Sequence, residues 1–402
     1  MKNGWQIKSF SVLCEVFADG DWIETKDQSA AGIRLIQTGN VGEGVFKDRG
    51  EKARYISEAT FHRLRCTEIF EGDCLISRLP DPPGRSCLLP DTGERMITAV
   101  DCTIIRFDRK QVLPEYFNYY SQSNDYLNAV DKETTGTTRK RISRSKLAQI
   151  FIPVPAVTVQ QRIVGILDEA FEGITTAKAN AEKNLQNAKE LFESHLNAIF
   201  TQRGNGWIDT TIGEVIRFID YRGKTPVKTT SGVRLITAKN VKMGYLQESP
   251  MEFIASTSYR DWMTRGIPQK GDVLFTTEAP LANVAQLDTD EKVAFAQRII
   301  ILQPEKAKLD SAFLKYLLLS GLVQQRIRSK GTGATVQGIK ASLLKLIEIS
   351  FPGTLTEQRH IVEKLSALNE ETERLESIYQ QKLDALDRLK KSLLHQAFNG
   401  QI

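Results

Sequence analysis

The sequence has little cysteine, and it has no apolar run long enough to cross a membrane. Its five cysteines, at positions 14, 66, 74, 87 and 102, are odd in number and include no C-x-x-C pair. This pattern argues against a disulfide scaffold or a zinc ribbon and is typical of proteins kept in a reducing cytosol. The longest apolar stretches, such as 316–319, end well short of the ~18–20 residues that a membrane helix needs. The first residues also lack the apolar segment of a secretory signal. We therefore expect a cytoplasmic protein.

Sequence motifs of catalysis are missing as well. Asp81-Pro82-Pro83-Gly84 is similar to the Asp/Asn-Pro-Pro-aromatic motif of amino-methyltransferases, but Gly84 stands where an aromatic ring would stack on a flipped base. The glycine-rich segment 331–338 lacks the Gly-Lys-Ser/Thr ending of a phosphate-binding loop. His195 and His395 fall in segments with a helical pattern, where a structural role is expected. The residues favour a binding protein over an enzyme.

What the chain does contain is an internal repeat. Gly32-Ile33-Arg34-Leu35-Ile36 returns as Gly232-Val233-Arg234-Leu235-Ile236, and Thr135-Gly136-Thr137-Thr138 returns as Thr332-Gly333-Ala334-Thr335. Gln161-Arg162-Ile163-Val164 is matched by Gln358-Arg359-His360-Ile361-Val362. Matches in one order at a nearly constant offset indicate two diverged copies of one unit. We expect globular domains at 1–157 and 204–355, each followed by a long helix, at 158–203 and 356–402.

Each globular segment mixes strand-like runs with a helical pattern, which predicts two mixed α/β domains without fixing a strand order. Helices are predicted to begin at Pro114, as a first-turn proline, and at Asp310 and Ser311. The candidate strands are 33–36, 96–107, 149–154, 233–236, 272–276, 293–302 and 346–351.

The two helical segments carry a heptad pattern. Thr158-x-x-Gln161 and Thr354-x-x-Glu357 fit the capping box that opens many helices. A helix of about forty residues is ~60 Å long, whereas a domain of about 150 residues is only roughly 40 Å wide. The second helix is therefore expected to run antiparallel to the first, with a pseudo-two-fold relation between the copies. The predicted seams are 163, 167, 170, 174, 177, 181, 184, 188, 191 and 195, and 361, 365, 368, 372, 375, 379, 382, 386, 389 and 393.

Positive charge is concentrated outside the helices. Segments 158–201 and 357–398 hold 11 basic and 14 acidic residues, a net charge of −3. Because the whole chain has a net charge of +5, the residues outside these segments carry a net charge of +8. The segment 134–146 combines Gly136 with hydroxyls and five positive charges, and the matching segment 326–340 has the same design. Glycine lets the backbone approach phosphates, and arginine can fork onto a guanine edge. A solvated loop is the alternative interpretation of either segment alone.

A second pair of segments places an aromatic residue beside glycine early in each copy. These are Asp19-Gly20-Asp21-Trp22 and Asp220-Tyr221-Arg222-Gly223-Lys224-Thr225-Pro226. Charge suited to nucleic acid is present in the second segment. For Trp22, a packing role is equally consistent with the sequence.

With these features together, the chain resembles the specificity subunit of type I restriction–modification systems. The order domain, long helix, domain, long helix is similar to that family, as are Gln-Gln-Arg-Ile-Val and Glu-Gln-Arg-His-Ile-Val at the helix starts. The segment 220–226 and Gly271-Asp272-Val273-Leu274-Phe275-Thr276-Thr277-Glu278-Ala279-Pro280 look typical of its target-recognition domains. The first copy departs from this pattern, with Ser77-Arg78-Leu79 in place of Thr276-Thr277-Glu278.

The resemblance implies that each domain reads one half of a bipartite site in double-stranded DNA and that the helices set the gap. Two methyltransferase subunits would dock on the chain and bring S-adenosylmethionine. Two ATP-dependent motor–nuclease subunits, using ATP and magnesium, would complete the restriction form, while this chain would hold no cofactor or metal and perform no catalysis. The implied DNA-binding residues are Trp22, Thr135, Gly136, Thr137, Thr138, Arg139, Lys140, Arg141, Arg144, Tyr221, Arg222, Lys224, Thr225, Arg328, Lys330, Thr332, Gly333, Thr335 and Lys340. The implied partner-binding residues are Gln161, Arg162, Gln358 and Arg359.

Two alternatives belong to other classes. A diverged nucleic-acid methyltransferase or nuclease with a coiled-coil insertion would bind S-adenosylmethionine or cleave DNA by itself. A purely structural coiled-coil adaptor would have no affinity for DNA, and the basic Gly/Thr/Arg segments outside the helices argue against it.

Overall fold

The computed structural model describes residues 4–223, 225–296, 298–333 and 337–402. The chain forms two compact units, which we call the first unit (up to Ala181, together with Gln381–Ile402) and the second unit (Glu182–Gln380). Each unit consists of one globular part and one half of each long helix. The boundaries between the two units fall within the long helices.

The first unit is a mixed α/β structure. Its strands are β1 (Gln6–Ser9), β2 (Cys14–Asp19), β3 (Gln28–Ser29), β4 (Ile33–Ile36), β5 (Tyr55–Ile56), β6 (Glu68–Ile69), β7 (Cys74–Ser77), β8 (Ser86–Leu88), β9 (Met96–Thr98), β10 (Cys102–Phe107) and β11 (Phe151–Val154). Its helices are α1 (Glu58–Leu64), α2 (Pro114–Tyr120), α3 (Asn124–Glu133), α4 (Arg144–Leu147) and the first half of α5 (Val157–Gln202).

The second unit repeats most of these elements. Its strands are β12 (Trp207–Thr211), β13 (Ile216–Asp220), β14 (Lys228–Thr229), β15 (Val233–Ile236), β16 (Glu252–Ile254), β17 (Val273–Thr276), β18 (Val284–Gln286), β19 (Val293–Phe295), β20 (Ile299–Pro304) and β21 (Glu348–Pro352). Its helices are α6 (Ile212–Val215), α7 (Tyr259–Trp262), α8 (Ser311–Leu319), α9 (Gly321–Ser329), α10 (Ala341–Lys345) and the first half of α11 (Leu355–Phe398).

The two units share most of their sheet topology, and the mixed sheet of the first unit has one additional strand, β6. In the first unit an antiparallel sheet has the order β2-β10-β7-β8, and a mixed sheet has the order β3-β5-β4-β9-β6, in which β4 and β9 run parallel. In the second unit the corresponding orders are β13-β20-β17-β18 and β14-β16-β15-β19, with β15 and β19 parallel. The repeat read from the sequence is thus a repeat of strand connectivity.

Two predicted strands are each divided between two sheets. The segment 96–107 forms β9 in the mixed sheet and β10 in the antiparallel sheet, and the segment 293–302 forms β19 and β20 in the same way. We call the short connections between them the crossovers. The apolar pattern did not reveal them, because β9, β10, β19 and β20 are nearly all buried and only a short connection separates the two strands of each pair.

The helix starts agree only partly with the expected caps. Helix α2 begins at Pro114, and α8 begins at Ser311 with the Asp310 carboxylate accepting from the amide of Ala312 at 2.9 Å. Thr354 accepts a hydrogen bond from the amide of Glu357 at 3.3 Å, as a capping hydroxyl does. The first expected capping box is wrong, because α5 begins at Val157 and Thr158 already lies inside the helix.

Within each unit the two long helices run antiparallel. In the first unit, Ile163 and Leu167 from the start of α5 share a core with Leu394 and Phe398 from the end of α11. In the second unit, Leu196 and Phe200 from the end of α5 share a core with Leu365 from the start of α11. In the first unit Lys178 also pairs with Asp387, and in the second unit Phe192 and Glu373 line one pocket. Residue numbers therefore rise along α5 as they fall along α11 in both units.

The predicted seam holds over part of each helix. In α5 positions 163, 167, 174, 181 and 188 are buried, whereas 184, 191 and 195 are exposed, and the inward positions there are 185, 192, 196 and 200. In α11 positions 365 and 372 are buried, whereas 382 and 389 are exposed. Where a helix packs on a globular part, its apolar stripe follows the 3.6-residue period of a single helix instead of a strict heptad.

The cysteine side chains pack as small apolar groups. All five are free thiols. Burial raises the pKa of Cys14 and of Cys87 to about 12, and it raises the pKa of Cys66 and of Cys102 to about 11. These thiols therefore stay protonated at neutral pH.

Neither a membrane-spanning helix nor a metal-binding cluster is found among residues 4–223, 225–296, 298–333 and 337–402. Among these residues no helix is both long enough and apolar enough to span a bilayer. They also contain no group of three or more His, Cys, Asp or Glu side chains arranged to hold a metal ion.

Candidate nucleic-acid interface

The basic segment of the first unit is a loop closed by a two-way backbone bridge. The amide of Thr135 donates to the carbonyl of Arg141, and the amide of Arg141 donates to the carbonyl of Thr135, both at 2.9 Å. Gly136 has φ +97°, a left-handed conformation that favours glycine. The buried Ile142 follows the bridge, and its amide donates to the carbonyl of Arg78. The loop is thereby fixed at its base, while residues 135–141 are exposed.

Carboxylates hold several cations of this loop. Arg141 pairs with Asp101 at 2.9 Å, Lys140 pairs with Asp131 at 2.6 Å, and Arg144 lies 3.8 Å from Asp19. Among the described residues Arg139 has no ion-pair partner. Such half-exposed pairs add little to stability but keep the side chains positioned at the surface.

The second unit closes its loop in the same way. The amides of Thr332 and Gly338 donate to each other's carbonyls at 2.8 Å and 2.9 Å, and the amide of Ile339 donates to the carbonyl of Thr277 at 2.9 Å. Gly333 has φ +116°. The predicted residues Thr332, Gly333 and Lys340 are exposed, as are Arg328 and Lys330 just before the loop. Thr335 lies outside the described residues.

In the second unit both predicted segments line one cleft of about 410 Å³. Arg222 and Gly223 come from the early segment, and Thr332 and Lys340 come from the loop segment. Arg222 binds the carboxylate of Asp220 at 2.6 Å. Burial of Asp220 opposes ionisation, but the hydrogen bonds from Arg222 outweigh it and lower the pKa of that carboxyl. Thr225 is exposed, and Lys224 lies outside the described residues.

The corresponding parts of the first unit also lie together. The amide of Asp21 donates to the carbonyl of Thr98 at 2.8 Å, which places the early segment beside the crossover. A side chain on Gly20 would come within 2.4 Å of the Ala99 carbonyl, so this close approach requires glycine. Asp19 lies 3.5 Å from Arg78 and 3.8 Å from Arg144, which connects the same segment to the loop.

The two aromatic residues proposed for DNA binding have different environments. Trp22 is 71% exposed, and its indole nitrogen donates to Glu24 at 3.4 Å, so it is available to a ligand. Tyr221 is buried, and its hydroxyl donates to the carbonyl of Gly266 at 2.8 Å. The prediction that Tyr221 contacts DNA is therefore corrected: its ring packs parallel to that of Trp262 and belongs to the core.

The cleft contains two charged residues that were not among the sequence candidates. Arg298 lies at the crossover between β19 and β20, and it pairs with Glu278 at 3.2 Å. Arg298 lies within the predicted strand 293–302, so the sequence did not identify it as a residue of the site. The positive charge within an otherwise apolar run was the available signal.

Both halves of the chain match the same protein family. A model of the type I restriction modification DNA specificity domain matches residues 3–186 and again residues 205–384. The chain belongs to this family.

Curated specificity subunits are similar to the chain at low identity. The EcoBI specificity subunit of Escherichia coli is 21% identical over 310 residues, which cover 71% of this chain and 65% of that protein. The MjaVIII specificity subunit of Methanocaldococcus jannaschii is 21% identical over 322 residues, covering 75% of this chain and 73% of that protein. The chain thus matches about two thirds of the length of these relatives.

Solved structures support the fold. One chain, from a structure concerned with complex assembly and conformational transition of the type I R-M system, superposes with a TM-score of 0.82 at 18% identity and covers 100% of this chain and 99% of its own. The HsdS subunit of Thermoanaerobacter tengcongensis gives a TM-score of 0.63 at 18% identity, covering 100% of this chain and 98% of its own.

The positions expected to bind partner subunits of a specificity protein require one correction. Gln358 is fully buried: its amide nitrogen donates to the carbonyls of Lys308 and Pro352, both at 2.8 Å, and its oxygen accepts from the amide of Asp310 at 2.8 Å. It therefore attaches α11 to its own globular part and is not accessible to a partner. Arg359 is exposed beside Asp310 at 3.8 Å and remains a candidate.

The first unit has the same attachment at Gln160, one position before the predicted Gln161. The Gln160 amide nitrogen donates to the carbonyls of Gln111 and Pro155 at 2.8 Å and 2.9 Å, and its oxygen accepts from Leu113 at 2.9 Å. Gln161 and Arg162 are exposed. The sequence comparison paired Gln358 with Gln161, whereas the structure pairs Gln358 with Gln160. The error is one residue, because two consecutive glutamines precede the arginine in the first copy.

Proposed function

We propose that the chain is the DNA-recognition subunit of a type I restriction–modification complex and that each unit reads one half of a bipartite site in double-stranded DNA. The observation that carries this proposal is the loop closed by the same backbone bridge in both units, at Thr135–Arg141 and at Thr332–Gly338, with exposed cations on the loop in the first unit and flanking it in the second. Two similar readers with different side chains suit a site made of two different halves.

The phosphate-facing part of each reader would consist of exposed cations and backbone amides. Arg139 and Lys140 in the first unit, and Lys330 and Lys340 in the second, are exposed and can neutralise phosphates. The threonine hydroxyls and the glycine backbone can approach phosphate oxygens closely. Trp22 offers an exposed ring in the early segment of the first unit.

The long helices would set the gap between the half-sites. Helix α5 has 46 residues, which corresponds to about 69 Å of rise at ~1.5 Å per residue. Helices of this length can act as a spacer whose length is fixed by the number of residues.

Catalysis would be supplied by partners. Two methyltransferase subunits with S-adenosylmethionine would modify adenine, and two ATP-dependent motor–nuclease subunits with magnesium would cleave DNA. Docking would use the exposed residues Gln161, Arg162 and Arg359 near the helix starts. The complex would work in the cytoplasm, where its DNA substrate is.

The proposal is tested by co-expressing the chain with its methyltransferase subunit in a host free of other adenine methylation. Methylome sequencing should give one bipartite motif with a fixed gap. An unsplit motif, or a motif that persists without the chain, would contradict the proposal. Labelled S-adenosylmethionine bound by the isolated chain would instead favour an enzyme.

A further inference from the structure

The two crossovers occupy the same place in both units. In the first unit the amide of Arg78 donates to the carbonyl of Asp101 at 2.9 Å, and in the second the amide of Thr277 donates to the carbonyl of Arg298 at 2.9 Å. Asp101 and Arg298 are therefore equivalent positions in two copies of one backbone frame. Each stands directly beside the closed basic loop of its own unit.

An arginine–carboxylate pair lies at this position in both units, but its members come from different places in the chain. In the first unit the arginine is Arg141, from the loop, and the carboxylate is Asp101, from the crossover. In the second unit the arginine is Arg298, from the crossover, and the carboxylate is Glu278. The pair has kept its place while its chain origin has been reversed.

Packing explains the reversal. The loop position equivalent to Arg141 is Gly338, since each is the last residue of its closed loop. A Cβ atom on Gly338 would lie 3.3 Å from the Glu278 Cβ and 3.3 Å from the Thr277 carbonyl oxygen. A side chain there would require the backbone at Thr277 and Glu278 to shift by a few tenths of an ångström, and in this unit the guanidinium reaches the same place from the crossover.

The backbone of Arg298 is held in an unusual conformation. Its φ is +77°, in the left-handed region that residues other than glycine, asparagine and aspartate seldom adopt. Its carbonyl accepts the hydrogen bond from Thr277, which fixes this geometry. The side chain lies in the cleft, 46% exposed, beside a Glu278 side chain that is 47% exposed. Outliers of this kind persist where the surrounding structure determines them, and they concentrate at binding sites.

We propose that Arg298 reads a guanine of the half-site bound by the second unit, with Glu278 holding its guanidinium ready in the free protein. This inference rests on the proposed function and names a specificity residue within it. A guanidinium fork matches the O6 and N7 acceptors of guanine in the major groove.

Two observations favour a base over a phosphate as the contact. Arg298 is fixed by a backbone hydrogen bond and an ion pair, whereas Lys330 and Lys340 are exposed and suit the less directional phosphate contact. Its position carries opposite charge in the two units, as expected of a residue that makes their targets differ.

The test is selection of bound duplexes from a randomised pool by the full chain, followed by sequencing, for wild type and three variants. Arg298→Gly removes the side chain and tolerates the left-handed backbone, so it avoids the strain that alanine would introduce. Arg298→Lys keeps the charge but loses the fork. Arg217→Ala is the matched control, because Arg217 is an exposed arginine of the same unit outside the cleft.

Arg298→Gly and Arg298→Lys should lose the preference for one guanine, by about five-fold to about a hundred-fold, and leave the other half-site unchanged. Arg217→Ala should select the wild-type motif. If both Arg298 variants select the wild-type motif, or weaken all sequences equally, the inference is overturned although the proposed function stands. If wild type selects no motif at all, the proposed function itself fails.

Discussion

The first and second units each hold a loop closed by the same pair of backbone hydrogen bonds, and they place different side chains on it. In the first unit the segment from Arg139 to Lys146 contains five cations, and most of them are paired with carboxylates of neighbouring elements. In the second unit the loop itself is poor in charge, and the cleft receives arginines from two other segments, at Arg222 and Arg298. A frame made of backbone hydrogen bonds can remain the same while the side chains it presents change completely.

The largest expected effect concerns the buried glutamines that attach the long helices to the globular parts. It tests whether this attachment is equally important in both units. Gln160→Ala and Gln358→Ala each leave a backbone amide and two carbonyls without their buried partner. Each should lower the free energy of unfolding by about 2–4 kcal/mol. Urea unfolding of the full chain measures this loss.

The matched control for this pair is Gln161→Ala, which removes the exposed neighbour of Gln160. It should change stability by less than about 0.5 kcal/mol. A Gln358→Ala protein as stable as the Gln161→Ala protein would show that the buried amide does not attach the helix.

The next effect concerns the first unit alone, because two positive charges are removed from its loop and the second unit is left unchanged. Arg139→Ala combined with Arg141→Ala should weaken DNA binding by about 3 kcal/mol and reduce the salt slope of log K by about one to two. Lys52→Ala combined with Arg54→Ala removes two exposed cations of the same unit outside the loop and should leave the slope nearly unchanged. Fluorescence anisotropy across a salt series measures both. An unaltered slope in the loop variant would disprove the loop assignment.

A third change should leave both readers intact and alter only the gap. Four residues inserted near Ala179 add ~6 Å of rise to α5 and about 40° of rotation. We expect the same two half-sites separated by one or two additional base pairs. Seven inserted residues preserve the heptad phase better and should lengthen the gap further. Methylome sequencing reads the motif. Active variants with the parental gap would mean that contacts outside the helices set the spacing.

The smallest effect concerns the aromatic residues of the two early segments. Tyr221→Phe removes a buried hydroxyl that bonds to Gly266 and should cost about 1 kcal/mol of stability without changing DNA affinity. Trp22→Ala should do the reverse, because the ring is exposed. Thermal unfolding and a DNA titration of both variants give the comparison. Loss of stability in the Trp22 variant with unchanged DNA binding would reverse our assignment.

The sequence predicted the elements with long-range periodicity and missed features that depend on a single position. The repeat, the long helices and the basic loops were all found, because each is a pattern extending over many residues. The crossovers were missed because β19 and β20 are both buried and only a short connection, which includes Arg298, separates their apolar runs. Gln160 was missed because Gln160 and Gln161 are chemically identical, and only the direction in which each side chain points separates them.

The burial of Tyr221 could not be inferred either. Its ring, its charge-rich neighbours and an adjacent glycine suit a DNA-contacting loop as well as they suit a turn. Its environment is set by Trp262 and Gly266, which lie about 40 residues away in sequence. Local composition has no information about such contacts.

The attachment through Gln160 and Gln358 has an evolutionary consequence. Each glutamine binds main-chain atoms only: the amide of Leu113 and the carbonyls of Gln111 and Pro155 in one copy, and the equivalent atoms of Asp310, Lys308 and Pro352 in the other. Main-chain atoms are present whatever side chain a codon encodes. A lineage can therefore accumulate mutations throughout the reading surface, and exchange that surface by recombination, while inheriting the angle at which the helix leaves it.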